Sequence, residues 1–218
     1  MVKTPKENKI YSRKIINATK EERQLVNGLI KTTYGCPVFK ETLRTVRSNS
    51  LAFGLKVMKS KMKKLGRGIA NMASVPVAEK TLIAYYPATI GVNPDDYWRK
   101  PDPFSAYRLD LGVYGESDEL QVKLYANGAP SDEAFNGANI NHSCAPNCEF
   151  VPKSVPGGVD YHVIETIKPI LPGEEATIDY GPGYWRPVER IKPVPRGFKV
   201  VKCSCGHCPT ALGHLVPV

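Results

Sequence analysis

The chain has 218 residues, which fits one domain with an extension or two small domains and excludes a large multidomain assembly. Hydrophobic residues make up 42% and charged residues 23%, close to the globular average, so global disorder is excluded. No segment approaches the roughly 20 apolar residues that span a bilayer, and the N-terminus lacks the apolar stretch of a secretory signal. We therefore expect a soluble, intracellular protein that does not contact membranes.

Positive charge is concentrated near the N-terminus. The formal net charge is +9, but residues 1–68 hold 17 basic and 4 acidic side chains, whereas residues 69–218 hold 13 basic and 17 acidic ones. Such a basic region can contact a phosphate backbone or act as a nuclear address, and a solvated charged face is the simpler alternative. Its densest run is Lys56, Lys59, Lys61, Lys63 and Lys64.

The sequence predicts one helix followed by many strands. A capping box at Thr19 and Glu22, followed by apolar residues at helical spacing, predicts a helix over residues 20–31, and the polar residues 1–16 are expected to be loose. Between residues 65 and 183, short apolar or alternating runs separated by turn residues predict strands. These predicted strands are residues 82–86, 107–111, 120–124, 161–164 and 176–178.

Two segments interrupt this pattern. Residues 91–105 indicate an irregular insertion with room for one short helix, and residues 187–197 form a Pro-rich connector that is too kinked for a helix interior. The chain therefore divides into a basic N-terminal arm with one helix (1–63), a domain of short strands (64–186) and a connector with a cysteine-rich end (187–218).

Four motif blocks occur in order along the chain. They are Gly66-Arg67-Gly68-Ile69-Ala70, NHSCAPN from Asn141 to Asn147, GEEATIDYG from Gly173 to Gly181, and CSCGHC from Cys203 to Cys208. The first block is weak alone, because Gly-x-Gly turns are common, but the second followed by the third is highly specific. Over residues 64–210 the chain resembles the SET-domain protein lysine methyltransferases followed by a post-SET cysteine segment.

The resemblance implies both a fold and an activity. The fold would be mostly β and β-clip-like, with short strands, few helices and a knot-like crossing in which the NHSC segment threads beneath the IDYG segment. The activity would be transfer of methyl groups from S-adenosylmethionine to the ε-amine of protein lysines.

Two blocks are expected to bind S-adenosylmethionine. Gly66 and Gly68, with Arg67 between them, let the backbone approach a ligand closely, although a tight turn into a strand would use the glycines equally well. Asn141 and His142 offer an amide and an imidazole, which outside this family would more often satisfy local backbone groups. The resemblance assigns all five residues to the cofactor.

The resemblance assigns Tyr180 to the methyl-transfer centre, where it would orient the substrate amine. A core tyrosine with its hydroxyl paired to a carbonyl is the alternative. Tyr85 falls where the family has a second tyrosine in the substrate channel, but the acidic and glycine residues that usually surround it are absent, and strand packing is the alternative. Ile178 occupies the channel position that influences how many methyl groups fit, and an aliphatic residue there leaves the product degree open.

The cysteines indicate a metal site rather than disulfides, because three of the six lie within six residues. Cys203, Cys205 and Cys208 can reach one tetrahedral Zn²⁺, which needs a fourth ligand. The resemblance supplies Cys144 from the NHSC block. Reduced structural cysteines without a metal are the alternative. Because the spacing of the cluster departs from the usual post-SET pattern, other candidates for the fourth ligand are Cys148, His207 and His214.

Charge suggests the partners. The acidic remainder of the chain suits a basic protein substrate such as a histone tail, and the basic arm suits DNA beside that tail, which implies the nucleus of the protein's own cell or of a host. Two other functional classes stay open. One is a catalytically silent SET-like binding module, and the other is a zinc-stabilised nucleic-acid-binding protein with salt-sensitive affinity for DNA.

Overall fold

The computed structural model describes residues 15, 18–62, 66–92, 108–115, 121–128, 130–182, 184–194, 196–208 and 210–217. These residues form two helices, α1 (Lys20–Gly35) and α2 (Pro37–Ala52), followed by many short strands. The strands are β1 (Leu55–Lys59), β2 (Arg67–Asn71), β3 (Leu82–Tyr85), β4 (Ala88–Val92), β5 (Arg108–Tyr114), β6 (Val122–Gly128), β7 (Asn141–His142), β8 (Cys148–Lys153), β9 (Tyr161–Thr166), β10 (Thr177–Ile178), β11 (Arg186–Pro187), β12 (Phe198–Lys202) and β13 (Leu212–Pro217).

The described strands form four small sheets. The largest has the order β3-β9-β8-β10-β7, and the others are β1-β2, β4-β6-β5 and β11-β13-β12. Within the large sheet β3, β9 and β8 pair antiparallel, whereas β10 runs parallel to both β8 and β7. The expectation of a mostly β fold of short strands with few helices is confirmed.

Helix α1 begins as the sequence predicts. The Thr19 hydroxyl accepts a hydrogen bond from Glu22 N at 3.2 Å, and the Glu22 carboxylate accepts one from Thr19 N at 2.7 Å, so the capping box is complete. The helix continues to Gly35, beyond the predicted end at residue 31, and Thr33 in its last turn is buried. Its hydroxyl accepts from Val159 N at 2.7 Å and ties the helix to the loop before β9.

Helix α2 is a second helix where the sequence analysis predicts only one. Pro37 at its first turn is compatible with a helix start, and Phe39, Leu43 and Val46 recur at helical spacing on a buried face. Phe39 is 1% exposed and Val46 is fully buried. The Phe39 ring packs edge-on against the Tyr161 ring, with 4.9 Å between the ring centroids.

Apolar side chains from both helices and from β1 therefore belong to the buried clusters of the described structure. Strand β1 lies before the expected boundary at residue 64 but pairs antiparallel with β2 beyond it, from Leu55 opposite Asn71 to Lys59 opposite Arg67. Burial of apolar side chains, not the positive charge, decides where this part of the chain lies.

The expected strands are present with shifted ends. The predictions for residues 82–86, 107–111, 120–124, 161–164 and 176–178 correspond to β3, β5, β6, β9 and β10. Strands β4, β8, β12 and β13 were not anticipated. Most of the expected insertion at 91–105 lies outside the described residues. In the connector, the described residues include a single 3-10 turn at Val188–Arg190. Neither α1 nor α2 combines the length and apolar character of a membrane-spanning helix.

Candidate functional site

The two most specific motif blocks meet at β10. This strand lies between β7 and β8, so the short NHSCAPN connection between those two strands passes over it. Ile178 lies opposite His142 on one side and Cys148 on the other, and its carbonyl accepts from Ser143 N at 2.9 Å. Asn147 fastens the crossing, since its side-chain oxygen accepts from the backbone N of Thr177 at 2.8 Å. The two motif blocks therefore cross at β10, which pairs with β7 on one side and β8 on the other.

Tyr180 emerges directly after this crossing. It is half-buried, and its hydroxyl donates to the carbonyl of Ile140 at 2.7 Å. A hydroxyl has one proton and two acceptor lone pairs. Since the proton is committed to Ile140, the lone pairs are what the oxygen can offer to an N–H group of a substrate. The hydrogen bond matches the alternative of a core tyrosine, and it also leaves the oxygen suited to orienting an amine.

His142 is almost entirely buried, with 5% of its surface exposed. Burial lowers its pKa, and the nearby Asp179 carboxylate opposes that shift only partly. Its Nδ1 accepts from the backbone N of Tyr180 at 3.2 Å, so the neutral ring carries its hydrogen on Nε2, which lies 3.2 Å from Cys144 Sγ. The ring thus links the tyrosine to the cysteine cluster. The prediction that His142 contacts the cofactor stays a prediction.

Gly68 has a tight environment that explains why it lacks a side chain. A Cβ there would overlap the carboxylate of Glu175, and it would approach the amide nitrogen of Asn141 to 3.0 Å. At Gly66 nothing lies within 4 Å of the equivalent position. Arg67, between them, forms an exposed ion pair with Asp132 at 2.5 Å. Close packing of a carboxylate, which was not anticipated, therefore accounts for Gly68, and its contact with cofactor stays a prediction.

Asn141 uses both amide hydrogens within the protein. Its Nδ2 lies 2.6 Å from the carbonyl oxygen of Arg67 and 2.6 Å from Glu175 Oε1. It therefore joins β7 to β2 and to the segment before β10. The amide oxygen receives no hydrogen bond from any described residue, so it is the group that Asn141 can present to a ligand.

A small cavity of about 120 Å³ opens on the β1-β2 hairpin. It has an apolar floor and a basic rim, lined by Met58, Lys59, Lys61, Gly68, Ala70, Met72, Gly173 and Glu175. Of the five residues predicted to bind the cofactor, Gly68 alone lines it. This cavity therefore does not unite the predicted cofactor residues.

The two other predicted channel residues lie in the core. Ile178 is 1% exposed and belongs to a cluster of buried residues on which Tyr180 packs. Tyr85 is also 1% exposed, in a second cluster that includes the inner face of α2, and its ring lies 5.6 Å from that of Phe135. The tight packing of Tyr85 is what strand burial would produce, and its role in a channel stays a prediction.

The cysteine cluster assembles next to this crossing. Cys144 Sγ lies 3.3 Å from Cys208 Sγ, and Cys205 Sγ lies 3.6 Å from Cys208 Sγ. Ligand atoms of His142, Cys144, Cys203 and Cys205 all lie within 4.8 Å of one another. All six cysteines of the chain are described, and none forms a disulfide. Tetrahedral Zn–S bonds of about 2.3 Å place sulfurs roughly 4 Å apart, so these distances fit a zinc site.

The four thiols of the cluster differ in how readily they ionise. Burial raises the pKa of Cys144 and Cys208 to about 11 and that of Cys203 to about 12. Burial acts in the same direction on Cys205, but hydrogen bonds from the backbone N–H groups of Cys144 and His207 outweigh it and lower the pKa to about 6. Without a metal, one thiolate beside neutral thiols is expected; a divalent cation would stabilise further thiolates.

The alternative fourth ligands are placed elsewhere. Cys148 is fully buried in β8 and its thiol donates to Asn147 Oδ1 at 3.3 Å. His214 Nε2 lies 3.1 Å from the Tyr184 hydroxyl, in an aromatic group. His207 is exposed, and its backbone N–H, not its ring, contacts Cys205. The structure instead brings His142 next to the cysteines, although the sequence analysis assigned it only to the cofactor. His142 and Cys208 are therefore the two candidates to complete a four-ligand metal site with Cys144, Cys203 and Cys205.

An aromatic group missed by the sequence analysis connects Tyr180 to the C-terminal sheet. Tyr184 packs edge-on against Tyr180 at 4.9 Å, and the ring of Trp185 lies 4.9 Å from that of His142. Both rings also contact His214 of β13, at 4.4 Å and 4.8 Å. The signal was present in the sequence, because a Tyr-Trp pair begins three residues after the last residue of the third motif block. These rings make the C-terminal sheet part of the wall beside Tyr180.

Comparison with protein-family models agrees with this geometry. The SET domain family matches residues 3–181. The match begins far before the expected boundary at residue 64 and so includes α1, α2 and β1. It ends at the Gly181 that closes the third motif block, which leaves the cysteine block at 203–208 beyond it as a post-SET-like segment. The chain belongs to the SET-domain family, whose members generally are protein lysine methyltransferases that use S-adenosylmethionine.

Proposed function

We propose that this protein methylates lysine ε-amines of a basic protein substrate, with S-adenosylmethionine as the methyl donor and histones as the substrate class. The observation that carries the proposal is the threading of β10 between β7 and β8. It brings Tyr180 and His142 into direct contact although 38 positions separate them in the chain. The same crossing places Asn141, with an unused amide oxygen, on the adjoining strand β7.

The polar groups of Asn141, Arg67 and Asp132 are chemically suited to binding the methyl donor. S-adenosylmethionine carries a sulfonium methyl group together with ammonium and amino donors. The oxygen of Asn141 is an acceptor with no partner among the described residues, and Arg67 at the start of β2 forms an exposed ion pair with Asp132. A polar rim of this kind, next to a buried crossing, favours a ligand that combines charge with an apolar body.

Tyr180 would act on the substrate amine. A free lysine has a pKa near 10.4, so it is mostly protonated at neutral pH and must lose a proton before its nitrogen can attack. The lone pairs of the Tyr180 oxygen can hold the remaining N–H groups, and the aromatic rings of Tyr184 and Trp185 exclude water and disfavour the ammonium form. After the ammonium has lost a proton to solvent, the neutral nitrogen would bond to the methyl carbon while the carbon–sulfur bond of the donor breaks, so that its electron pair stays on sulfur and S-adenosylhomocysteine is the leaving group.

We further propose that one zinc ion is held by Cys144, Cys203, Cys205 and Cys208. His142 is the weaker candidate, because acceptance of the Tyr180 N–H at Nδ1 leaves the hydrogen on the nitrogen that faces the cluster. Zinc would hold the C-terminal sheet against the crossing and thereby keep the aromatic wall in place beside Tyr180. It would have no part in the methyl transfer itself.

Charge supports the proposed substrate and a DNA contact. Lys56 and Lys59 are exposed on β1, within residues 1–68 that carry most of the excess positive charge, whereas residues 69–218 are acidic overall. Opposite charges steer a basic tail to the acidic part and DNA to the basic part. A nuclear location, in the protein's own cell or in a host, follows from such a substrate.

The proposal is tested by methyl transfer from labelled S-adenosylmethionine to core histones and to nucleosomes. Incorporation into a lysine of either substrate is the expected result. Cofactor binding without transfer to any protein would favour the silent binding module. DNA binding that weakens with salt, in a protein that does not bind the cofactor, would instead favour the nucleic-acid-binding alternative.

A further inference from the structure

Glu175 is the residue around which three parts of the candidate site converge. It lies in the third motif block, just before β10, and it is half-buried. Its carboxylate accepts hydrogen bonds from the Ser60 hydroxyl at 2.9 Å and 3.1 Å, from Lys61 N at 3.3 Å and from Asn141 Nδ2 at 2.6 Å. The carboxylate also occupies the space that a side chain at position 68 would need. These contacts connect the end of β1, the backbone of β2 and the start of β7.

The chemistry of these contacts fixes the orientation of the Asn141 amide. An asparagine amide can present either its NH₂ group or its oxygen in a given direction, and the partners decide which. Here both partners, the Arg67 carbonyl and the Glu175 carboxylate, can only accept hydrogen bonds. A flipped amide would place its oxygen 2.6 Å from two other oxygens. The NH₂ group must therefore face the protein.

We infer that Glu175 is a positioning residue, which locks Asn141 so that the amide oxygen is presented to a hydrogen-bond donor of the cofactor, such as its ammonium or amino group. The inference rests on the proposed function, because it takes Asn141 as a cofactor contact. The Arg67 carbonyl alone would hold only one of the two amide hydrogens. The charged carboxylate supplies the second and shorter-than-average hydrogen bond and is itself held by two donors, so the amide has little freedom to rotate.

A purely structural role for Glu175 would give a different result in a double-mutant cycle. If Glu175 acts through Asn141, its loss changes nothing further once the Asn141 amide is absent. If Glu175 merely fastens β1 to β2, its loss weakens the fold and the binding in either background. Ser60→Ala is the matched control, because it removes a hydrogen bond to the same carboxylate and leaves the Asn141 contact intact.

The experiment measures binding of the product S-adenosylhomocysteine by calorimetry, with melting temperatures recorded for every variant. Glu175→Ala is expected to weaken binding about tenfold, as the loss of one charged hydrogen bond would. Glu175→Gln keeps one acceptor oxygen and should lose less. Ser60→Ala should change binding less than about threefold. The double variant Glu175→Ala/Asn141→Ala should bind no more weakly than Asn141→Ala alone.

Additive losses in the double variant, or unaltered binding by Glu175→Ala, would overturn the inference. If Glu175→Ala does not fold, the cycle is made with Glu175→Gln and judged by the same criterion. Binding of the product needs no turnover, so a protein that binds it but transfers no methyl group contradicts the proposed function and still tests Glu175. A wild-type protein that does not bind S-adenosylhomocysteine would overturn both.

Discussion

The five-stranded sheet and the C-terminal segment of residues 196–217 border the same site but are held in place by different means. In the sheet, Cys148, Ile164 and Ile178 are at most 1% exposed, and the crossing is fastened by backbone pairing. In the C-terminal segment, Gly213 is the one buried residue among those whose burial is described. Burial alone can stabilise the sheet, whereas the segment needs a cross-link, and the thiol cluster provides the ligands for one.

Removal of metal should produce the largest difference in stability between the two regions. Structural zinc contributes roughly 10–16 kcal/mol to small metal-stabilised folds, so a chelator should release the C-terminal segment and leave the sheet folded. Hydrogen exchange should show loss of protection in β12 and β13 and unchanged protection in β8 and β9. Elemental analysis should give one zinc per chain. Zinc content far below this value, with protection of β12 and β13 intact, would contradict the assignment.

A substitution at Gly68 should affect the sheet side alone. In Gly68→Ala the new Cβ would overlap the Glu175 carboxylate, and such overpacking typically costs about 1–3 kcal/mol. Gly66→Ala is the matched control, because nothing lies within 4 Å of its Cβ position, and its stability should change by less than about 0.5 kcal/mol. Chemical denaturation measures both. Equal effects of the two variants would show that the carboxylate does not occupy the space in front of Gly68.

Acid should weaken the C-terminal segment through His214. Burial lowers the pKa of this histidine to about 4, whereas in an unfolded chain it is about 6.5. Above pH 6.5 or so both states are neutral. As the pH falls toward 4 the unfolded state binds the proton first, so the free energy of unfolding decreases. His214→Phe removes this titration, and its melting temperature should fall less between about pH 7 and pH 5 than that of the wild type. An identical fall would exclude His214 as a source of the acid sensitivity.

Basic residues on β1 should contribute to DNA binding and not to the stability of either region. Lys56 and Lys59 are exposed, so Lys56→Glu/Lys59→Glu should keep the melting temperature and weaken DNA binding, with the slope of affinity against salt reduced by about one per lost phosphate contact. Lys20→Glu/Lys31→Glu on α1 is the control for position, because both lysines are exposed and the double substitution changes the net charge by the same amount. Equal losses in both variants would indicate that net charge alone attracts DNA. Deletion of residues 1–63 would be a poor test, because it removes the buried Phe39 and Val46.

Much of the fold could be predicted from the sequence because its strands alternate and its motifs are specific. The capping box of α1 and five strands came from local patterns, and the crossing at β10 came from the family resemblance. Helix α2 was not predicted, although Phe39, Leu43 and Val46 recur at helical spacing on its buried face. Local spacing also gives no information on which strands pair, so the pairing of β1 with β2 could not be found in this way.

The candidate site was predictable in its residue types but not in its contacts. Cys144 could be grouped with the distant Cys203 by resemblance alone, and the structure brings both into one cluster. The role of Glu175 could not be seen, because it depends on three-dimensional contacts with Ser60 and Asn141 from separate parts of the chain. The reason for Gly68 could not be predicted either. A sequence does not show whether a glycine leaves space for a ligand or for a neighbouring side chain such as the Glu175 carboxylate.

Tyr180 is the residue on which the proposed methyl transfer depends most directly, as the group that would orient the substrate amine. Tyr180→Phe keeps the ring and its packing and removes one hydroxyl, so cofactor binding measured by calorimetry should be unchanged. Single-turnover methyl transfer to core histones should slow by about a hundred- to a thousandfold, the usual effect of losing one preorganised hydrogen bond in a catalytic site. A transfer rate within a few-fold of the wild type, with normal cofactor binding, would contradict the account.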